Sequence, residues 1–560
     1  MRITVRFRPW MALFALVATL SLSSFRGQAQ DPTWASVRRA ASTTNTASYG
    51  DAIAVAPDGS RFFHGTFQGS FTFGGTTLTA VGAGFDSYLG KLNPDGSLAW
   101  LRQYSGGLPW KLAVDATGNL YVGGNLGGTI SFGSLTLTGP GGLRAFVAKL
   151  TPQGEGLWGK VEEAPQAARG DCFLSSLITD AAGNVYASGN FSGTMRFGSE
   201  AANQLMTTNN AVFDIFLCKF SPSGSVLWAR KAGGEGNDDN RDLAADASGN
   251  TYLTGNFTGS ATFGTVTLNA ANATDQDLYV AKFDPQGNVV WAQRAGTAND
   301  DTGEAVAVDA AGVVAVGGNV NSRLVGAGFQ RAAYLACYGA NGSPLWSREI
   351  TPSIPGLYSV KDVAYDGRGG LYAIGDYEGA LTLGGTPLPL AGKPSAFVAR
   401  YNGQGTARWA GAGIAEGAGP NDGCSFDYID ADATGNAYLL GAAVGNVSFG
   451  SLNSVGSTNA TLFEAKLNSG SVLAAARTPG AALPLTVYPN PASGQTTLVL
   501  PQGGGELTIT DGLGRVVRTQ ALPAVAGAVE LGLGGLAPGL YQLRARLSNG
   551  QTAATPLLVH

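Results

Sequence analysis

One unit recurs seven times along the chain, and its period decides what the chain can fold into. The clearest copy runs from Leu243 to Gly296. A glycine closing its second apolar run recurs at Gly65, Gly124, Gly189, Gly255, Gly318, Gly375 and Gly441, spaced by 57 to 66 residues. An aromatic recurs in register at Tyr88, Phe146, Phe216, Tyr279, Tyr334, Phe397 and Phe463. Two positions on, the residue is small: Gly90, Ala148, Cys218, Ala281, Ala336, Ala399 and Ala465. A base follows in six units (Lys91, Lys149, Lys219, Lys282, Arg400, Lys466), with Cys337 in the fifth.

Each unit reads as four short strands. The first ends in an Asp-x-x-Gly-Asn turn, as at Asp115–Asn119, where aspartate accepts from backbone N–H groups and glycine takes φ > 0. The third alternates aromatic, aliphatic, small and basic, as in Tyr279-Val280-Ala281-Lys282. A Pro-x-Gly turn then leads to a fourth strand bearing Trp100, Trp158, Trp228, Trp291, Trp346 or Trp409. Period-two alternation between closely spaced turn signals is the all-β pattern. A four-stranded antiparallel unit of this size matches a propeller blade, whose faces are covered only by its neighbours. The expectation is all-β: a seven-bladed β-propeller over residues 31–480, then a small β-sandwich over 481–560.

Composition supports this class. The chain has 83 glycines in 560 residues without a strict triplet, and only 13% charged residues. Collagen, coiled coils and charged disordered chains are thereby excluded.

The seventh unit has Ala474 where tryptophan is due, while Thr33-Trp34-Ala35-Ser36 near the start resembles Leu227-Trp228-Ala229-Arg230. Residues 31–45 are therefore expected to supply blade seven with its outer strand. Unit five has Gly312-Val313-Val314 in place of Gly-Asn-x-Tyr and lacks the Phe-Gly pair found at Phe73, Phe132, Phe197, Phe263 and Phe449, so a shortened blade is expected there.

These motifs, in this order, resemble the bacterial SBBP-type β-propeller repeats. The resemblance covers about residues 34–480 and implies the propeller fold. After Ala475 the repeat stops. Tyr488-Pro489-Asn490-Pro491, Leu507–Val517 and Leu536–Arg544 follow. They resemble the type IX secretion C-terminal sorting domain. That resemblance implies handling by the type IX secretion machinery of a Gram-negative bacterium, and release or attachment at the outer surface. The usual terminal base is replaced by His560.

Residues 1–30 read as a secretory signal: Arg2, Arg6 and Arg8 precede an apolar run from Met11 to Leu22, too short to span a bilayer. The formal charge divides into +4 for the signal, −9 for the propeller and +1 for residues 484–560. An acidic propeller without a basic run disfavours nucleic acid as a partner. The four cysteines form no framework and read as small buried residues.

Chemistry is sparse. The two histidines, His64 and His560, leave little for zinc sites or Ser-His-Asp triads, and His64 reads as a surface strand residue. The recurring Asp115, Asp180, Asp246, Asp309, Asp366 and Asp432 read as turn caps. Acidic loops bearing Asp238, Asp239, Asp300, Asp301, Asn421 and Asp422 lead into first strands on one face. Their carboxylates and amides suit Ca²⁺ or sugar hydroxyls, without an EF-hand spacing. Asp430 stands where other units carry Ala113, Ala244, Ala307 and Ala364, and is expected to face the central channel. No catalytic constellation and no required cofactor emerge. The favoured expectation is a non-catalytic secreted or surface protein that binds a glycan or protein. The alternatives are a polysaccharide-active enzyme using loop carboxylates and a structural envelope or matrix protein.

Overall fold

The computed structural model describes residues 31–560 except 43–45, 140, 164–168, 199–203, 208–211, 326–327, 351–357, 417–418, 420, 455, 457, 470–482, 501–503, 512–514, 526 and 549–551. The signal segment and Ala474 lie outside the described residues. The chain is all-β and divides into Asp31–Gly470 and a second compact unit completed by Ser471–His560.

Among the described residues of the larger unit, seven sheets share one plan of four antiparallel strands. The first comprises Ala47–Val55, Arg61–Gln68, Phe85–Leu92 and Leu98–Tyr104, paired in that order. The others begin at Gly107–Val114, Arg169–Thr179, Asp238–Ala245, Asp300–Val308, Ser359–Tyr365 and Gly423–Ala431. Each first strand lies against the first strand of the next sheet, and Gly423–Ala431 lies against Ala47–Val55. Buried apolar residues of neighbouring sheets form shared clusters, as where Phe62 and Leu89 pack with Leu112, Val122 and Ala148.

The repeat's columns meet across strands. Asp115 Oδ1 accepts from the backbone N–H of Thr117 (3.0 Å) and Asn119 (2.9 Å), and Oδ2 accepts from Tyr121 Oη at 3.3 Å. Lys149 Nζ lies 3.2 Å from that carboxylate and 4.9 Å from the centre of the Tyr121 ring. Turn aspartate, second-strand tyrosine and third-strand base are thus one structural cluster, repeated at Asp180 with Tyr186 and Lys219. The fourth-strand tryptophan reaches the next sheet. Trp158, Trp228 and Trp346 donate Nε1–H to Pro222 O, Pro285 O and Gly403 O at 3.0–3.1 Å.

The N-terminal strand Thr33–Arg39 pairs antiparallel with Thr461–Asn468 and so becomes the fourth strand of the seventh sheet. Its register differs from the sequence expectation. In the third sheet Trp228 pairs with Lys219 and Val226 with Phe220. In the seventh, Ser36 pairs with Lys466 and Trp34 with Leu467. Trp34 therefore fills the place of Val226, two residues ahead of the other tryptophans. It packs inward on Phe449 (5.2 Å) and Phe426 (5.9 Å), so an aromatic fills the position that Leu98, Val226 and Val289 hold in three other sheets.

The fifth sheet is not shortened. Val314–Val325 and Gly328–Tyr338 form one long hairpin where other units insert the Phe-Gly hairpin.

The C-terminal unit has a five-stranded sheet and a three-stranded sheet over one core that includes Leu498, Ile509, Leu531 and Leu543. This agrees with the expected small sandwich. Asn490 of the Tyr-Pro-Asn-Pro block accepts from the Leu558 N–H at 2.9 Å, tying the first motif to the last strand.

Candidate functional site

The register glycine explains how the site is built. In all seven sheets it pairs directly with the recurrent aromatic, as Gly65 with Tyr88 and Gly255 with Tyr279. Opposite it, every first strand carries a β-bulge. The bulged backbone presses onto the glycine: a Cβ there would lie 1.8–2.2 Å from a first-strand carbonyl oxygen at Tyr49, Leu108, Phe173, Asp239, Thr302, Ser359 or Ser425. No side chain fits in that space, so the bulge requires the glycine.

A bulge re-aims one side chain out of the sheet. The extra residues are Asp51, Trp110, Ser175, Arg241, Glu304, Lys361 and Asp427, each fourteen residues before its register glycine. Six of the seven line a single cavity of about 480 Å³, together with Lys111, Leu174, Arg331, Ser359 and Tyr428. That volume falls within the roughly 300–1,000 Å³ of small-molecule sites. Most columns of the repeat hold one residue type, whereas the six bulge residues that line the cavity all differ in kind.

The charges of the cavity are unevenly paired. Lys361 Nζ lies 2.6 Å from Asp376 and 2.9 Å from Asp427. Burial opposes its charge, but the two carboxylates outweigh burial and raise its pKa. Lys111 Nζ lies 5.2 Å from the Tyr428 ring centre. Burial again opposes its charge, and Tyr428, Asp242, Asp362 and Asp51 more than offset it. Glu304 accepts from Asn319 Nδ2 at 3.5 Å, and Trp110 donates Nε1–H to Asn125 Oδ1 at 3.1 Å. Arg241 is exposed. Neither its guanidinium nor that of Arg331 has a hydrogen-bond or ion-pair partner among the described residues, and Arg331 Nε is buried.

A second row of acids lies between the first strands. Asp242 Oδ2 accepts from the Val306 N–H (2.9 Å), Asp362 Oδ2 from Ile429 (2.8 Å) and Asp430 Oδ2 from Val55 (2.7 Å). Burial pushes Asp362 up to about 8, helped by Asp242, and Asp430 up to about 6. Asp430 thus joins the seventh sheet to the first. Its two carboxylate oxygens are occupied by the Val55 and Ala431 N–H groups rather than offered to the channel.

The loop candidates do not converge. Asp238 accepts from Gly234 N–H at 2.7 Å, Asp301 from Thr297 N–H, and Asp422 from Gly419 N–H at 2.7 Å, so each carboxylate caps its own loop. Burial pushes Asp238 up to about 8 and Asp301 up to about 6. At about 8 the Asp238 carboxyl is protonated at neutral pH, and a protonated carboxyl is a poor ligand for a hard cation. Asp239 accepts from Asn190 Nδ2 (3.1 Å) and Asp300 from the Gln276 N–H (2.9 Å), while Asn421 is exposed. Among the described residues, no group of three or more His, Cys, Asp or Glu side chains is arranged to hold a metal ion.

His64 is fully buried rather than on the surface. It stacks on Tyr88 with ring centres 6.2 Å apart, and burial lowers its pKa to about 3, which keeps it neutral. The four cysteines are buried and free, with thiol pKa values raised by burial. The bulge column was missed in the sequence because it is a column of difference. A fixed offset from the register glycine would have found it.

Residues 486–558 match the family described as the secretion system C-terminal sorting domain. A stretch of 139 residues is 27% identical to the regulatory protein FlaEY of Caulobacter vibrioides, covering 23% of this chain and 14% of that protein. Similar solved structures include PorZ, a surface component of the type IX secretion system of Porphyromonas gingivalis (12% identity, 91% of this chain and 81% of that chain, TM-score 0.22). They also include the Dos1 propeller (10%, 78% and 95%, 0.39) and the polysaccharide lyase Uly1 (13%, 80% and 94%, 0.39).

Proposed function

We propose, from the sorting domain at residues 486–558, that the chain is an outer-surface or released binding protein of a Gram-negative bacterium, exported by the type IX machinery. On this reading residues 31–480 are SBBP-type repeats forming a closed seven-bladed propeller. Two features support closure: the pairing of Thr33–Arg39 with Thr461–Asn468, and the contact of the seventh first strand with the first. The propeller is a non-catalytic scaffold, and its ligand enters the cavity ringed by the bulges.

The observation that carries this reading is the bulge column. Bending and twisting the strands would leave the seven bulge residues free to be alike, yet six of them direct unlike side chains into one cavity. The binding reading is favoured over hydrolysis because Asp427 is held by Lys361 and the carboxylates of Asp362 and Asp430 accept from backbone N–H groups. The test is an array of glycans and peptides probed with the full chain and with Ser175→Trp, which fills the cavity from one bulge. Binding by the parent and loss in the variant is the expected result. Equal binding by both would place the site elsewhere, and cleavage of an array polysaccharide would overturn the non-catalytic reading.

A further inference from the structure

We infer that the cavity takes a carboxylate-bearing saccharide, a uronic acid unit, with Arg241 and Arg331 holding its carboxylate; this rests on the binding reading above.

The charge balance of the cavity is the first argument. The propeller segment is acidic at −9, yet this cavity is not. Lys361 is neutralised by Asp376 and Asp427. Counted over the lining itself, four cations (Lys111, Arg241, Arg331 and Lys361) stand against two acids (Glu304 and Asp427), with Asp51, Asp242 and Asp362 set behind Lys111, so the wall carries an excess of positive charge. Opposite-sign focusing in a concave site attracts anions from solution.

The second argument is unmet bonding capacity. Guanidinium groups present planar forks of N–H donors matched to carboxylates. Most arginines of the larger unit use theirs: Arg38 on Glu464, Arg102 on Glu155, Arg144 on Glu162, Arg294 on Asp277 and Arg400 on Asp366. Arg241 and Arg331 do not, though both line one cavity and Arg331 Nε is shielded from water. A buried donor without a partner is costly, and a bound anion would remove that cost.

The third argument separates a saccharide from an acidic peptide. Ser175 and Ser359 offer hydroxyls, and Glu304 is an acceptor beside the donors. Hydroxyl groups flanking a carboxylate satisfy all of these, whereas a run of peptide carboxylates would be repelled by Glu304. Trp110, 36% exposed at the rim, supplies a flat apolar wall for one face of a pyranose ring.

The experiment titrates the full chain calorimetrically with tri-galacturonate, its fully methyl-esterified neutral counterpart and a hexa-aspartate peptide. The expected result is binding of the acid form, at least tenfold weaker binding of the ester, and about tenfold losses for Arg241→Gln and Arg331→Gln. Arg515→Gln, in the C-terminal unit, serves as the control. Equal binding of acid and ester, unchanged by the arginine variants but lost in Ser175→Trp, would overturn the carboxylate inference and leave the cavity reading standing. Binding that survives Ser175→Trp would overturn the cavity reading itself. Binding of hexa-aspartate alone, or of none of the three probes, would overturn the saccharide class.

Discussion

Asp430 Oδ2 accepts the backbone N–H of Val55 at 2.7 Å, so a carboxylate of the last sheet holds the first strand of the first sheet, 375 residues earlier in the chain. The bond joins the seventh sheet to the first, at the seam where the proposed ring of sheets would close. Replacing Asp430 by alanine leaves the half-buried Val55 N–H without its partner. A loss of about 1–3 kcal/mol is expected in chemical denaturation of the full chain. A variant as stable as the parent would mean the seam is held by strand packing alone.

The N-terminal strand is the second part of the seam. Deleting residues 31–45 exposes the edge of Thr461–Asn468 and should lower the melting temperature by well over 5 °C. Trp34→Ala should cost about 2 kcal/mol, below the roughly 3–5 kcal/mol of a fully buried tryptophan because Trp34 is only half-buried. Ser36→Trp, by contrast, restores the residue found in the other sheets and should be tolerated. If Trp34→Ala were neutral, the packing on Phe426 and Phe449 would not hold the strand.

The register glycines admit a sharper substitution test. A methyl group at Gly255 would lie 2.0 Å from the Asp239 carbonyl oxygen, and only a shift of the bulge relieves it. Gly255→Ala should therefore destabilise by about 2–4 kcal/mol and also displace Arg241. Gly403→Ala meets nothing within 4 Å and should fall within about 0.5 kcal/mol of the parent.

Stability should respond to acid in two stages. Asp430, Asp51 and Asp376 are pushed up to about 6 by burial, so the folded state holds protons that the unfolded chain, with an aspartate pKa of about 3.9, has released. Their contribution is complete below about pH 4 and falls as pH rises through about 6. At Asp115 burial favours the neutral form, but hydrogen bonds from Thr117 and Asn119 prevail and lower its pKa, so its contribution is lost as pH falls below about 4. The melting temperature should rise from pH 8 to pH 5 and fall again below pH 4. A curve that is highest at pH 8 would contradict the buried seam carboxylates.

Calcium at millimolar concentration should leave the melting temperature within about 1 °C, because Asp238, Asp301 and Asp422 already cap their own loops. Mass action would produce a clear upward shift if a site bound calcium well below that concentration.

Most of the architecture was legible because each column of the repeat corresponds to one contact. Asp115, Tyr121 and Lys149 recur together because they touch, and Gly65 and Tyr88 recur together because they pair across strands. The N-terminal strand was legible from a missing tryptophan, but its register was not. The bulge between Trp34 and Ser36 has its counterpart between Val226 and Trp228, so the strand pairs as the others do and only its tryptophan stands two residues early, a displacement that the Trp-Ala match hid. The site was read least well. Asp238 and Asp301 look like ligands because acids in loops usually face water, yet here they turn inward to cap backbone. Asp430 is unusual among alanines because one seam needs an acceptor. The bulge residues were invisible to a search for sameness, since Trp110, Arg241 and Lys361 share only their distance from a glycine.

The central claim is that the bulge column, and not the acidic loops, forms the binding surface. The most direct measurement is equilibrium titration of the array's best ligand against two sets of full-chain variants. One set is Trp110→Ala, Arg241→Gln and Glu304→Gln; the other is Asp239→Asn, Asp300→Asn and Asn421→Ala. The account predicts that each bulge variant weakens binding severalfold or more while the loop variants match the parent. Undiminished affinity across the bulge set, with losses in the loop set, would contradict it.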